Sequence, residues 1–404
     1  MNLTSNFLII FTLKIFILLG LNFIFISSDE IKQNPNPNSN PNQKRNIKKA
    51  KRRIHINKNE FQKFKRKFNK HYDKITEIYR INVFNDNLIE IEKLNKKAKE
   101  KGPKQSVFFG VNLFSDISKQ NFRKKHLGFN FNHVTKLTEY RDFKEYLREY
   151  EKDKHKLDKE IKAKNLISTK SSKLKLNLEN YLDIDPRKTG LINEPTNQGD
   201  CGCCWAFSSA YAIECIQSLR VGKKIILSPQ EIIDCTPYTN GCDGGNPYYA
   251  FAHAQKTGLT LNIDYPYNAN KGTCIRDQLI QASTHPEKSK MIKVSSYWYY
   301  TDLPQYESWM ITLLQDLKSF VIAINGDHIQ NYVSGVLDLN YFECNPENVN
   351  HAVTLVGYSE ENGQKVWIIK NSWGPYWGEN GYIRVAFGKN VCGVCKYAFC
   401  ARLV

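Results

Sequence analysis

Hydrophobic positions change their spacing several times along this chain. Residues 7–26 are almost continuously apolar, broken by Lys14 and Asn22. Twenty residues can just cross a bilayer, while the core of a cleaved secretion signal is shorter. Ile26-Ser27-Ser28 offers a small residue for a cut, and the basic run 44–53 disfavours an anchor whose C-terminal side lies outside. The segment reads as a signal peptide, with a retained signal anchor as the alternative; both lead into the secretory pathway. Residues 34–44 alternate Asn and Pro, the composition of a disordered tether.

From 54 to about 99 the apolar spacing becomes three and four, at Phe61, Phe64, Phe68, Ile75, Ile78, Tyr79, Val83, Phe84, Leu88, Ile91 and Leu94, which predicts amphipathic helix. Between 132 and 176 Lys and Glu dominate. Tyr140, Phe143, Leu147 and Tyr150 keep helical intervals there, with Glu145 and Glu149 interleaved with Arg148 and Lys152, so a solvated, partly helical insert is expected. Helical spacing returns at Ala206, Phe207, Ala210, Tyr211, Ile213, Ile216 and Leu219. Residues 320–324, 352–358, 365–370 and 381–386 are β-branched and aromatic runs punctuated by Gly and Asn, and predict strands.

A length of 404 residues exceeds one ordinary domain, and the charge is divided accordingly. Of 58 Lys and Arg, 40 precede Leu178; of 40 Asp and Glu, 22 lie from Leu178 onward. The excess positive charge sits on Lys-rich helical and linker segments without a basic binding motif, which argues against nucleic acid as a partner. Eleven cysteines indicate export to an oxidising compartment. Zinc would need two close pairs; Cys392 and Cys395 supply one and no second is convincing, so no metal and no cofactor is expected.

The chemistry concentrates at Gln198-Gly-Asp-Cys-Gly-Cys-Cys204-Trp-Ala-Phe-Ser208. Cys204 falls at the mouth of the predicted helix, where unpaired amides favour a thiolate. A buried cysteine beside a tryptophan is as readily a packing residue, so a base must decide. One lies 147 residues on: His351 opens an apolar run in Val349-Asn-His-Ala-Val353. Asn371 follows 20 residues later, in Trp367-Ile-Ile-Lys-Asn-Ser-Trp373-Gly. His253 and His328 lack a motif partner and read as packing or surface residues.

These blocks, with Asn240-Gly-Cys-Asp-Gly-Gly-Asn-Pro247, resemble the papain and cathepsin L type cysteine proteases. Cys203 departs from the family's usual serine or alanine. Upstream, Arg80, Val83, Phe84, Asn87, Ile91 and Asn95 match the long-helix pattern of the cathepsin L type prosegment, with Thr76 in place of its glutamate. Gly110-Val-Asn-Leu-Phe-Ser-Asp116 matches the second prosegment motif. The resemblance implies an α+β, papain-like two-lobe fold, with a helical left lobe, a β-barrel-like right lobe and an N-terminal, mainly α-helical inhibitory prodomain. That prodomain would lie over the cleft with its chain opposite to substrate. The implied organisation is 1–28 signal peptide or anchor, 29–53 basic tether, 54–131 prodomain, 132–177 charged activation segment and 178–404 catalytic domain. Ile184-Asp-Pro-Arg187 falls at a family strand, with Pro186 replacing a tryptophan.

Carried over residue by residue, Cys204 would be the nucleophile, His351 its base, Asn371 the orienting amide, Trp373 its shield and Gln198 an oxyanion donor. Gly244 and Gly245 would pair with substrate backbone. Asn246, Pro247, Ile324, Ala352 and, at the floor, Tyr397 would line the pocket for the residue two before the cut. A tyrosine floor implies small or medium apolar side chains rather than arginine. Implied disulfides are Cys201 to Cys242, Cys235 to Cys274 and Cys344 to Cys392, leaving Cys203, Cys215, Cys395 and Cys400 open. No paired-histidine occluding loop is present, so an endopeptidase is expected: a monomeric zymogen acting on proteins and peptides, open to cystatin-like inhibitors, in an acidic lysosome- or vacuole-like compartment or outside the cell, possibly membrane-anchored as a precursor. The alternatives are a catalytically silent peptide-binding relative and a membrane-tethered interaction protein.

Overall fold

The computed structural model describes residues 58–102, 106–131, 184–281, 291–340, 343–361 and 363–404, with helical positions at 145, 148 and 152. The apolar run 7–26, the Asn-Pro tether and nearly all of the Lys/Glu-rich insert lie outside them. Among the described residues no helix is long and apolar enough to cross a membrane.

The helical pattern over 54–99 forms two helices, 58–67 (α1) and Lys74–Glu100 (α2). Local chemistry makes the break. Asn69 adopts a left-handed φ of 50°. Asp73 then caps α2, its carboxylate accepting the Ile75 and Thr76 amides, each at 2.9 Å. Thr76 donates its hydroxyl to the same carboxylate at 2.6 Å, so the residue that departs from the glutamate pattern serves the cap.

Phe61 and Phe64 of α1 close on Phe84 of α2 in a small aromatic core. The polar positions of α2 hold the segment that follows. Arg80 donates to the Asp116 carbonyl at 3.0 Å, and Asn87 to the carbonyls of Ser115 and Ile117 at 2.8 and 3.1 Å. Asn95 exchanges two hydrogen bonds with the Phe109 backbone. The two prosegment motifs are therefore one hydrogen-bonded unit. It continues through β1 (Phe108–Phe109) into α3 (Lys119–His126).

Past residue 184 come α4 (Cys204–Val221), α5 (Pro229–Cys235), α6 (Pro247–Thr257) and α7 (Arg276–Gln281). The chain then alternates β2 (Val294–Thr301), α8 (Met310–Leu317), β3 (Phe320–Ile324), β4 (Tyr332–Ser334), β5 (Val336–Leu337), β6 (His351–Glu361), β7 (Gln364–Lys370), β8 (Tyr382–Ala386) and β9 (Tyr397–Leu403). Seven strands form one sheet, ordered β2-β9-β3-β6-β7-β8-β5, antiparallel except where β5 meets β8. The four predicted runs fall in β3, β6, β7 and β8. Ile184-Asp-Pro-Arg187 does not form the strand expected of it. Ile184 makes a single bridge to Tyr358, and Asp185 then accepts the Arg187 amide and turns the chain into a 3-10 helix at Pro186–Thr189.

Two cores result. One surrounds α4 and α6, with Trp205, Phe207 and Phe251; the other fills the sheet side, with Trp367, Trp377 and Leu355. α4 joins them. It is buried on nearly every face, and Thr354 on β6 donates its hydroxyl to the Ser208 carbonyl at 3.0 Å. Residues Phe61–Val404 form one unit, the prosegment included. β1 adds antiparallel to β4, and Asn112 and Gln330 donate side-chain amides to each other's loop carbonyls.

Asn87→Ala tests how far this polar seam holds the prosegment. It strands two carbonyls among buried groups, which costs about 1–3 kcal/mol. In a Cys204→Ser background, which prevents self-digestion, the variant should melt at lower temperature and expose residues 58–131 to an added protease; an unchanged melting curve contradicts the assignment.

Candidate functional site

Cys204 is the first residue of α4 and is fully buried. Its Sγ accepts two backbone amides, from Gly128 of the prosegment at 3.3 Å and from Ala352 at 3.4 Å. Ala352 follows His351, the first residue of β6, so the sheet brings the histidine backbone against the thiol. The His351 ring is fixed on two sides. Its Nε2 lies 2.8 Å from Asn371 Oδ1, and it stacks on Trp373 at 4.6 Å and 22°. Its Nδ1 makes no hydrogen bond.

Gln198 is buried against the same loop. Its Oε1 accepts from the Ser372 hydroxyl at 2.6 Å, which leaves Nε2 to donate to the carbonyls of Cys201 at 2.7 Å and His126 at 3.3 Å. No motif pointed to Ser372, yet its hydrogen bond fixes which way the Gln198 amide faces.

The prosegment itself fills the cleft. Residues 126–131 pass between the two walls, and Phe129 bridges Gly245 in the parallel sense. Gly245 donates to the Gly128 carbonyl at 2.9 Å, Asn130 donates to the Gly245 carbonyl at 3.1 Å, and Phe129 donates to the Asn350 carbonyl across the cleft at 3.1 Å. The fit is tight at glycine: a Cβ on Gly128 would stand 1.7 Å from the Gly202 carbonyl oxygen. One on Gly245 would stand 2.4 Å from the Trp205 ring. Neither Gly128 nor Phe129 stands out by periodicity, because an extended plug has no repeating pattern.

The residues expected to line the pocket lie on neighbouring elements. Ile324 pairs with His351 and Ala323 with Ala352 in adjoining strands, Asn246 caps α6 with Pro247 next, and Gly244 holds φ at 116°. The Tyr397 ring stands beside Phe129, 5.8 Å away at 48°, and Phe399 lies 5.8 Å from the same Phe129 ring.

Burial sets the charge state. It pushes the Cys204 thiol up to about 11, against the pull of the Ala352 and Gly128 amides. It presses His351 down to about 4, against the Asn371 bond and reinforced by neighbouring His126. Thiol and imidazole are both neutral beneath the prosegment. His126 is also buried, beside Phe114 and Phe122, with Nε2 3.8 Å from Asp200 Oδ1, and burial lowers its value to about 4 against the pull of Asp200 and the Gly199 backbone.

The structure joins Cys201 to Cys242, Cys235 to Cys274 and Cys344 to Cys392. Cys203, Cys215, Cys395 and Cys400 take part in no disulfide, and neither does Cys204. Cys203 is buried, its Sγ 3.2 Å from Tyr267 Oη. His253 lies 3.2 Å from buried Glu231, a packing role, and His328 is half-buried in a 3-10 turn. Among the described residues no His, Cys, Asp or Glu group could hold a metal.

What these contacts define as a class is a thiol peptidase in precursor form, its cleft filled by its own N-terminal chain. Residues 180–402 match the papain family cysteine protease description, and residues 61–122 match the cathepsin propeptide inhibitor domain. Cysteine protease XCP2 of Arabidopsis thaliana is 34% identical over 340 residues, covering 82% of this chain and 82% of that protein. Chymopapain of Carica papaya is 32% identical, covering 82% and 83%. Among solved structures, procathepsin L 3 from the larval midgut of Tenebrio molitor superposes with a TM-score of 0.64 at 27% identity, covering 86% of this chain and 99% of that one. The chain belongs to the papain family of cysteine proteases.

Two outcomes check the plug. Gly128→Ala should loosen the prosegment by forcing residue 128 off Gly202, read as faster appearance of activity from the proenzyme at fixed pH; unchanged kinetics contradict the contact. The second concerns acid. His126 has a docked value near 4, below its ordinary 6.5, so its contribution to docking is complete above 6.5 and is lost as pH falls toward 4. The loss approaches about 3 kcal/mol, at roughly 1.4 kcal/mol per pH unit. His126→Phe keeps the ring packing without the proton and should move the activation midpoint to lower pH, followed as peptide hydrolysis across a pH series.

Proposed function

We propose that this protein is an exported cysteine endopeptidase made as a zymogen, in which Cys204 is the nucleophile, His351 the general base and acid, Asn371 the group that orients it, and Gln198 with the Cys204 amide the oxyanion site. The observation that carries the reading is that one backbone stretch, residues 126–130, engages Cys204 Sγ, Gln198 Nε2 and Gly245 together. A peptide laid in its place would meet the same three groups.

Once the prosegment leaves, water reaches the thiol and the imidazole, and a proton passes from Sγ to His351. The thiolate forms a bond to the substrate carbonyl carbon as the C=O π electrons move to oxygen, where the two N–H donors receive them. Losing one such donor typically lowers kcat by roughly 100- to 1,000-fold. Collapse re-forms the carbonyl and breaks the C–N bond, and His351 gives its proton to the departing amine. Water then attacks the thioester with His351 as base, releasing the acid and restoring the thiol. Asn371 holds the His351 tautomer throughout, and Trp373 keeps water from that bond.

The pocket beside Tyr397 favours phenylalanine or leucine two residues before the cut, on the example of Phe129. Maturation removes the chain up to about Leu178. Export rests on the apolar run 7–26 and on three disulfides, each adding about 2–4 kcal/mol. The destination is an acidic vacuole-like compartment or the exterior, where the enzyme acts as a monomer open to cystatin-like inhibitors.

Incubating the purified proenzyme at acidic pH, with mass and peptide hydrolysis followed together, tests the reading. Expected are a product beginning near Leu178 and activity that vanishes in Cys204→Ser; hydrolysis by that variant would overturn the assigned nucleophile.

A further inference from the structure

Phe129 and Phe131 lie two residues apart in an extended stretch, where alternate side chains share a face. Both meet Tyr397. Phe129 is 5.8 Å from it on the side of Gly128 and Cys204, while Phe131 stacks on it at 4.5 Å and 22°. Phe131 also meets Tyr299 edge-on, at 6.2 Å and 60°. Tyr248 stands behind Tyr299 at 5.9 Å and 90°. The stacked and edge-on geometries are those in which aromatic pairs attract beyond the area they bury. Tyr397 thus divides an inner compartment, which holds Phe129, from an outer one built of tyrosine.

We infer that the outer compartment, formed by Tyr397 and Tyr299 and backed by Tyr248, is a second specificity subsite that takes an aromatic side chain four residues before the cut. The inference rests on the proposed function, which places the inner compartment two residues before the cut. The prosegment pairs with Gly245 in the parallel sense, so a substrate entering the opposite way reverses its order in the groove. From the inner compartment, the next residue on the same face and farther from Cys204 lies two positions toward the substrate N-terminus. Removal of the prosegment uncovers the Tyr397 face on which Phe131 stacks, and with it an aromatic surface of matching shape.

The test uses mature enzyme activated from the full chain and fluorogenic tetrapeptide amides. Leucine is fixed two before the cut, with phenylalanine or alanine four before it. The phenylalanine peptide should show a kcat/KM higher by roughly three- to tenfold. In Tyr299→Ser the ratio of the two should fall to near one; because it is a ratio, it is insensitive to how much variant folds, and Tyr299→Leu provides a second variant that preserves bulk. Phe131→Ala in the full chain leaves the mature enzyme untouched and should hasten prosegment release. Equal kcat/KM for the two peptides on the unmodified enzyme overturns the subsite and leaves the protease reading intact. Absence of any Cys204-dependent hydrolysis overturns both.

Discussion

Everything at this site follows from whether the Cys204 thiol and the His351 imidazole are wet. A thiolate and an imidazolium are each penalised by burial, and here both groups are fully buried beneath residues 126–131. With the thiol pushed up to about 11 and the ring pressed to about 4, proton transfer between them is unfavourable in the covered state. The prosegment therefore restrains the enzyme twice, by occupying the groove and by holding its reactive pair uncharged. Two amides on Sγ lower the thiol somewhat, but desolvation outweighs them.

The fold keeps this pair in place with unusual economy. Cys204 starts a helix that is buried on almost all sides, and His351 starts the strand packed against it. Neither can shift without disturbing a core. Between them, Glu214 on α4 accepts from the Leu227 amide and from Asn193, while Lys370 on β7 lies 3.7 Å over the ring of Tyr211 on α4. Burial works against charge on both, raising the Glu214 carboxyl and lowering Lys370 to about 8, and buried polar groups are costly to move off the partners they have. The Cys201 to Cys242 bridge ties the loop before the helix to the loop that carries Gly244 and Gly245.

Much of this was legible from residue order. Helical spacing located α4, the β-branched runs located β3, β6, β7 and β8, and motif spacing brought Cys204, His351 and Asn371 into one neighbourhood. What escaped has physical reasons. β2 and β9 are rich in Tyr, Ser, Ala and Cys, which do not alternate cleanly, so no run marked them. The break between α1 and α2 depends on a cap at Asp73 that a charged, evenly spaced helical stretch disguises. Ser372 acts only through Gln198. Residues 126–131 act through backbone amides and carbonyls, and backbone groups leave no trace in residue identity.

That backbone plug also explains why the covering chain can sit on a nucleophile without being cut. Attack requires a carbonyl carbon within reach of Sγ and its oxygen directed at Gln198 and the Cys204 amide. In the closed cleft the group directed at Sγ is the Gly128 N–H, and the carbonyl that meets Gln198 belongs to His126, two residues earlier. The Gly128 carbonyl is turned to Gly245 instead. The Cys204 thiol and the Gln198 amide thus meet different peptide units of the covering chain. Parallel pairing with Gly245 imposes this mismatch, since reversing a chain in the groove exchanges the positions of its N–H and C=O groups. Protection against cleavage is accordingly a property of chain direction, and any sequence held in that direction by Gly128 and Gly245 would share it.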